Sequence, residues 1–338
     1  MAFKAVRTDS ELECPQIDAG LEALGCELTL LADGVGEEAL IAAVRDADLL
    51  LMCYTPVTAR VIAAAPRLKG IVKYGVGIDA IDIPAAMARG IPVVNVPEYA
   101  EETVAEGAFA LMIAVLKKIV PISRAMTATG WAWPEPQWLG LDLAGRTLAL
   151  VGAGRIGRSM ARMAAGFRMH VLGYDPHVDG ETMRAAAIEK CDDLGAMLAR
   201  SDVVSVHATL TDATLNLVGA RELARMKPSA FLINAARGAI VDEAALVTAL
   251  REKRIAGAGL DVYSREPLVH TGHPMSALFA MDNVVLLPHL TFYTEEAMRR
   301  LTDDTLARCR EMLAGRPVLI KSHDPRLRAQ RKGVVFVD

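Results

Sequence analysis

Three segments in the second half of the chain end in side chains able to move a proton or grip an anion. Asn234-Ala235-Ala236-Arg237-Gly238 follows one apolar run, Asp261-Val262-Tyr263-Ser264-Arg265-Glu266-Pro267 the next, and Leu287-Pro288-His289 the one after. Short apolar runs read as buried strands, and in open α/β sheets ligands bind beyond the carboxyl ends of strands. An Arg, a Glu and a His on that rim suit reduction of a carbonyl. Hydride attack on the carbon builds negative charge on the oxygen, which then needs a proton, and His titrates near neutral pH. A carboxylate beside the ring favours its charged form. An arginine fork grips a substrate carboxylate and steadies the developing oxyanion. Run backwards, neutral His289 takes the hydroxyl proton. Each residue alone has a plainer reading: a surface ion-pair partner, an exposed Glu before Pro, a loop His after Pro. Spacing alone does not show that the three converge.

Hydride needs a donor, and the middle of the chain offers a place for one. Leu148–Val151 run into Gly152-Ala153-Gly154-Arg155-Ile156-Gly157, followed by a helical pattern, a second apolar strand and Tyr174-Asp175. This is the strand, G-x-G-x-x-G, helix, strand, acid order of a dinucleotide site. Gly152 permits the tight turn, Gly154 lets backbone approach a pyrophosphate, and Gly157 lets the helix pack close to the sheet. The helix start offers unpaired N–H groups and a positive dipole end. Asp175 lies 23 residues past Gly152, near the usual separation of about 20. A carboxylate there accepts bonds from ribose hydroxyls and repels a 2′-phosphate, which points to NAD rather than NADP. The plainer alternative is a glycine-rich structural turn.

The 338 residues are enough for two domains, and 52% hydrophobic residues supply large cores. The net charge of −4 and the absence of a basic stripe argue against nucleic acid as partner. No stretch of about 18 uncharged apolar residues suggests a membrane span. The N-terminus lacks an apolar signal-peptide core. A cytoplasmic protein is the expectation. Cys14, Cys26, Cys53, Cys191 and Cys309 form no C-x-x-C pair, so buried free thiols are expected and neither disulfides nor a metal site.

Around these segments the chain alternates strand and helix patterns. Strands are expected at Ala5–Thr8, Glu27–Leu31, Asp48–Cys53, Gly70–Lys73 and Pro92–Asn95, with helices between them. A long helical pattern follows from Glu102 to about Thr129, interrupted near Pro121, and then a Pro/Gly-rich loop with Trp131 and Trp133. A second series places strands at Thr147–Val151, Met169–Tyr174, Val203–His207, Ala230–Asn234, Gly257–Leu260 and Val284–Leu287. A final helix is expected from Thr294 to Leu313, and after it a solvated basic tail with Lys321, Arg326, Arg328, Arg331 and Lys332. Repeated βα units mean parallel, helix-covered sheets. The expected class is α/β, with two Rossmann-like or flavodoxin-like lobes. A cofactor lobe, residues 105–293, is inserted into a substrate lobe made of 1–104 and 294–338.

Taken together, Leu148–Asp175, Asn234–Val241, Leu260–Pro267 and Pro288–His289 resemble the D-isomer-specific 2-hydroxyacid dehydrogenases, a group that includes glyoxylate/hydroxypyruvate reductases and phosphoglycerate dehydrogenases. Lys73-Tyr74-Gly75-Val76-Gly77-Ile78-Asp79 matches the family's substrate-lobe glycine loop, and Thr103-Val104-Ala105-Glu106 its hinge segment beside the cofactor. The resemblance implies NAD-dependent interconversion of a small 2-oxo acid and its D-2-hydroxy acid, in a homodimer. It implies that Arg237 orients the substrate and that Glu266 with His289 forms the acid–base pair. Tyr74, Gly75, Val76 and Gly77 would bind the substrate with Arg237 and His289. Gly152, Gly154, Arg155, Ile156 and Gly157 would meet the pyrophosphate and Asp175 the adenosine ribose. Thr103, His207, Thr209, Thr214, Ala235, Arg237, Asp261 and His289 would line the rest of the cofactor groove, with Asp261 facing the nicotinamide amide. His207 reads equally well as a packed strand-end histidine.

The chain departs from the family pattern in places. Thr209 stands where Pro is usual, and the glycine loop continues Asp79-Ala80 where Asp-Asn is common. Met52-Cys53 stand where phosphoglycerate dehydrogenases carry an Arg-Ser pair, which speaks against a phosphorylated substrate. The long regulatory C-terminal domains of some relatives are not expected here. Formate oxidation, on a similar architecture, uses Gln where Glu266 stands. A dinucleotide-sensing interaction protein of the corepressor type remains the alternative from a different class. The pocket for the substrate's side chain is expected from Tyr54, Tyr99, Trp131 to Trp138 and Phe292, with Phe292 and Tyr293 otherwise core.

Overall fold

The computed structural model describes residues 2–337. The chain forms two compact units, 1–100 with 294–338, and 101–293. The division falls at 100/101, a few residues before the expected 104/105, because the long helix begins already at Glu101.

In the first unit, β1 (Phe3–Arg7), β2 (Cys26–Leu30), β3 (Leu49–Met52), β4 (Gly70–Lys73) and β5 (Val93–Asn95) form one sheet in the order β2-β1-β3-β4-β5. All its pairings are parallel, and the order is that of flavodoxin-like sheets. β3 reads Leu-Leu-Leu-Met with every side chain buried, because helices cover both faces of a parallel sheet.

In the second unit, β6 (Thr147–Val151), β7 (His170–Tyr174), β8 (Glu189–Lys190), β9 (Val203–Val206), β10 (Phe231–Asn234), β11 (Gly257–Leu260) and β12 (Val284–Leu286) line up as β12-β11-β10-β9-β6-β7-β8. Renumbered from its own first strand, this is the doubly wound dinucleotide-binding order with a seventh strand added. The order reverses between β6 and β9, which places the Gly152 turn at the switch point. Ala149, Val151, Val204 and Leu232 are buried on one face of the sheet, and Leu148, Leu150, Val203 and Ile233 on the other.

Two expectations need correction. The break in the long helical pattern lies at Lys117-Lys118, between helices Glu101–Leu116 and Ile119–Thr129, not at Pro121. Lys118 takes a left-handed conformation with φ 52°, and Pro121 sits in the first turn of the second helix, where its missing N–H has no partner to lose.

Nor is the C-terminal segment a solvated tail. β13 (Val318–Ile320) and β14 (Val334–Phe336) pair in parallel. The amide of Gln330 donates to Val93 O at 2.8 Å and accepts from Val93 N at 2.8 Å, covering the exposed edge of β5. Lys321 pairs with Asp304 and Glu98, and Arg328 donates to Ser322 O. Lys321 and Arg328 thus help fasten the segment to its own unit, while Arg331 and Lys332 remain exposed. The five cysteines are free thiols, all buried except the half-exposed Cys191.

Candidate active site

The glycine turn after β6 has the geometry its spacing predicts. Gly152 has φ 101°, and a Cβ there would lie 2.6 Å from Ala208 N, on the segment leaving β9. A Cβ on Gly154, by contrast, would meet nothing within 4 Å. Packing within the chain therefore does not demand that glycine, while a ligand lying against the backbone does. The N–H groups of Gly154, Ile156 and Gly157 donate to no protein acceptor among the described residues. Asp175 stands beside the turn, accepting Ala153 N–H at 3.0 Å and His177 N–H at 2.9 Å. Unpaired donors at a helix start, open space over Gly154 and a carboxylate at the next strand end together fit a dinucleotide. Arg155 turns its guanidinium to Glu101 at 2.7 Å.

The loop after β9 is tied by Thr214, whose hydroxyl donates to Thr209 O at 2.6 Å and accepts from Thr211 N at 2.7 Å. His207 is half-buried, its Nε2 2.8 Å from Ser205 Oγ. Burial pushes its imidazole down to about 4, so it is neutral at physiological pH, as a packed strand-end histidine would be. Thr103 and Ala235 are buried.

Beyond β10, β11 and β12 the three chemical side chains come into one neighbourhood. Asn234 pins the first turn, its amide donating to Arg237 O at 2.9 Å and accepting Ala236 N–H at 3.0 Å. Gly238 lies so close to the Tyr263-Ser264 backbone that a Cβ would come within 2.0 Å of Tyr263 C. This contact draws the Arg237 turn against the Glu266 loop. Glu266 accepts Tyr263 N–H at 3.0 Å through one oxygen and approaches His289 Nδ1 at 2.8 Å through the other. Burial works against its charge but is outweighed by His289, the Tyr263 N–H and Arg237, so its carboxyl lies below the usual range.

His289 is held in an unusual backbone state, with φ 59°. Asp261 accounts for it. Its main-chain oxygen accepts His289 N–H at 2.7 Å, and its fully buried carboxylate accepts Leu290 N–H at 2.7 Å and Thr291 N–H at 3.0 Å. The Thr291 hydroxyl adds a bond of 2.6 Å. The expected role for Asp261, facing a nicotinamide amide, thus meets a carboxylate engaged in shaping the His289 loop. Phe292, 6% exposed, packs edge-on to the His289 ring at 6.2 Å and belongs to the core rather than to a pocket wall. Tyr99 is likewise buried.

In the first unit the glycine loop follows β4. The Tyr74 ring is fully buried, its hydroxyl donating to Thr8 O at 2.5 Å. Gly75 N–H is used on Lys73 O at 3.0 Å. Neither fits the expected contact with substrate. The N–H groups of Val76, Gly77 and Ile78 donate to no protein acceptor among the described residues, so of the expected loop residues Val76 and Gly77 keep free donors.

Sequence reasoning missed Asp9. It is buried at the end of β1, and its carboxylate accepts the N–H groups of Cys53, Tyr54 and Thr55 and the hydroxyls of Thr8 and Thr55. It does for the strand ends of the first unit what Asp261 does for those of the second. The only signal was an acidic residue just past an apolar strand.

The fold and site are those of a nicotinamide-dependent oxidoreductase. Residues 109–291 match the family model described as D-isomer specific 2-hydroxyacid dehydrogenase, NAD binding domain. The chain is 40% identical over 270 residues to a glyoxylate reductase of Korarchaeum cryptofilum, spanning 79% of this chain and 80% of that one. It is 41% identical over 286 residues to a D-3-phosphoglycerate dehydrogenase of Mycobacterium leprae, covering 84% of this chain but only 52% of that protein. The solved D-lactate dehydrogenase of Aquifex aeolicus, complexed with NAD and lactic acid, superposes with a TM-score of 0.81 at 28% identity, over 92% of this chain and 96% of that one. The chain belongs to the D-isomer-specific 2-hydroxyacid dehydrogenase family and is an NAD-dependent oxidoreductase of that family. Among the described residues no helix is long and apolar enough to cross a membrane.

Proposed function

We propose that the protein interconverts a small unphosphorylated 2-oxo acid and its D-2-hydroxy acid. The observation that carries this is the His289–Glu266 pair at 2.8 Å, set with Arg237 beyond the ends of β10–β12. Bound NADH supplies the hydride to the carbonyl carbon. His289 delivers a proton to the carbonyl oxygen as charge grows there, and ionised Glu266 holds the ring through Nδ1 so that Nε2 is the atom that gives the proton. Arg237 fixes the substrate and stabilises the developing oxyanion. In the first unit, the Val76 and Gly77 N–H groups, unpaired among the described residues, are donors suited to a carboxylate. In the oxidative direction neutral His289 removes the hydroxyl proton.

Asp175 supports NAD over NADP. Met52 and Cys53, 0% and 8% exposed, offer no guanidinium for a phosphate, which supports an unphosphorylated substrate. Glyoxylate, hydroxypyruvate, pyruvate and phosphohydroxypyruvate, followed by NADH and NADPH absorbance, test the reading. Turnover with NADH and a preference for the unphosphorylated acids are expected. Inactivity across the panel with intact NADH binding would point instead to nucleotide sensing.

A homodimer is supported by the helix Ile119–Thr129, none of whose side chains is buried, and by Trp131, Trp133 and Leu139, 59%, 72% and 72% exposed. A monomer seldom leaves such an apolar group in water. Trp133→Glu is expected to shift the protein from dimer to monomer in light scattering, and a wild-type monomer would refute the proposal.

A further inference from the structure

Beneath the glycine loop of the first unit lies a charge that the reading above does not use. Lys73 is 4% exposed at the end of β4. Its ammonium donates to Cys53 O, lies 3.2 Å from Cys53 Sγ and sits 5.3 Å from the centre of the Tyr54 ring. Among the described residues no carboxylate pairs with it. A buried ammonium without an anion is unfavourable, and folded chains rarely keep one without a use.

Its position indicates the use. Gly75, with φ 152°, leaves the space into which the Lys73 side chain folds: a Cβ there would lie 3.0 Å from Lys73 Cε and 3.1 Å from Nζ. The charge is thus packed against the turn whose next three N–H groups, those of Val76, Gly77 and Ile78, have no protein acceptor. Asn95, 5% exposed at the end of β5, shapes the same turn by donating to Val76 O at 2.6 Å, and its Oδ1 is buried without a partner. Unpaired donors, an uncompensated cation and an unfilled acceptor gather at one loop.

We propose that Lys73 is the positioning residue that makes this loop select a carboxylate. Its charge adds to the pull of the Val76–Ile78 donors on an anion, so substrates lacking an acidic group beside the carbonyl bind less well. The inference rests on the reading of the loop as the carboxylate site and extends it to the class of substrate accepted.

Calorimetric titration of oxalate into the NAD⁺-saturated protein tests it without turnover. Lys73→Met is expected to weaken oxalate roughly 10–100-fold, the range for a lost bond to a charged group, while Lys73→Arg restores most of the affinity. The Met variant should unfold at the same temperature as wild type or higher, because an unpaired buried charge has been removed. In turnover, pyruvate should lose kcat/KM by a similar factor through KM, whereas pyruvamide, which has no charge, should lose little. The proposal is overturned if wild type does not bind oxalate, or if the Met variant binds it as tightly as wild type. Equal losses for pyruvate and pyruvamide, or a loss confined to phosphohydroxypyruvate, also overturn it. Oxalate binding that depends on Lys73 in a protein without turnover would uphold the loop's selectivity while refuting the proposed reaction.

Discussion

Replacing His289 by Asn is expected to lower kcat for every 2-oxo acid by roughly 10²–10⁴-fold, the usual contribution of a positioned general acid. NADH affinity should change far less than kcat. Asn is preferred to Ala because residue 289 sits at φ 59°, a region that Asn tolerates far better than most residues. The loop held by Asp261 should therefore keep its shape, and the loss should fall on chemistry. Glu266→Gln makes a second arm. It keeps the bond to His289 Nδ1 sterically possible but removes the charge that favours the protonated ring, so its loss should be smaller and should grow with pH. The Glu266 carboxyl lies below its usual range, so it stays ionised across the working pH and is not the group that limits the acid side. Stopped-flow or steady-state absorbance at the NADH band reads both variants. Undiminished turnover in His289→Asn would remove His289 from the mechanism.

The largest effect on stability is expected from Asp9→Ala, at about 3–5 kcal/mol. The carboxylate serves five donors: the backbone N–H of Cys53, Tyr54 and Thr55 and the hydroxyls of Thr8 and Thr55. Removing it leaves buried donors unsatisfied, each penalised by about 1–3 kcal/mol before relaxation, and places Ala at φ 60°. Asp9→Asn keeps the shape and the tolerance for that backbone state, but turns an NH₂ toward N–H donors, so a loss about half as large is expected. The pH dependence follows from the direction of the shift. Burial opposes the charge, but the bonds from Thr55, Thr8, Cys53 and Tyr54 prevail and hold the carboxyl below 3.8. The stabilisation is therefore fully present above the unfolded value and is lost as pH falls through the folded one. The gap in urea midpoint between wild type and Asp9→Ala should be full at pH 7 and should narrow only as pH falls below the usual carboxylate range, through the lowered folded value. A variant as stable as wild type at pH 7 would refute the role.

The two carboxylates show where reading the chain succeeds and where it fails. Asp261 and Asp9 each follow the end of a parallel strand and do the same work, yet only Asp261 lies in a segment whose neighbours mark it. Asp9 collects donors more than 40 residues away in sequence, and nothing local to it shows them. The C-terminal segment failed for a related reason. Its arginines and lysines look solvated one by one, whereas Gln330 and the β13–β14 pairing bind them to β5 and to the helix before them. Pro121 leaves its helix intact because a proline breaks a helix only beyond its first turn, and Lys118 sets the boundary.

What the chain determined by itself was periodic or strictly local. Apolar runs of four or five residues gave nearly every strand of the two large sheets within one or two residues, because burial on both faces admits little else. The glycine turn and its acid declared a dinucleotide site, because backbone that must approach a phosphate tolerates few residue types. The residue types of Arg237, Glu266 and His289 set the chemistry they can perform. Tertiary structure decided that these three meet, through the close approach at Gly238 and the Asp261 cage that forces φ 59° on His289. It also decided which N–H groups of the Tyr74–Gly77 loop are used within the chain, those of Tyr74 and Gly75, and which are not, those of Val76 and Gly77, and it placed the Lys73 ammonium beneath them with no carboxylate paired to it among the described residues. Convergence and charge balance depend on distances across the chain, and a sequence records only distances along it.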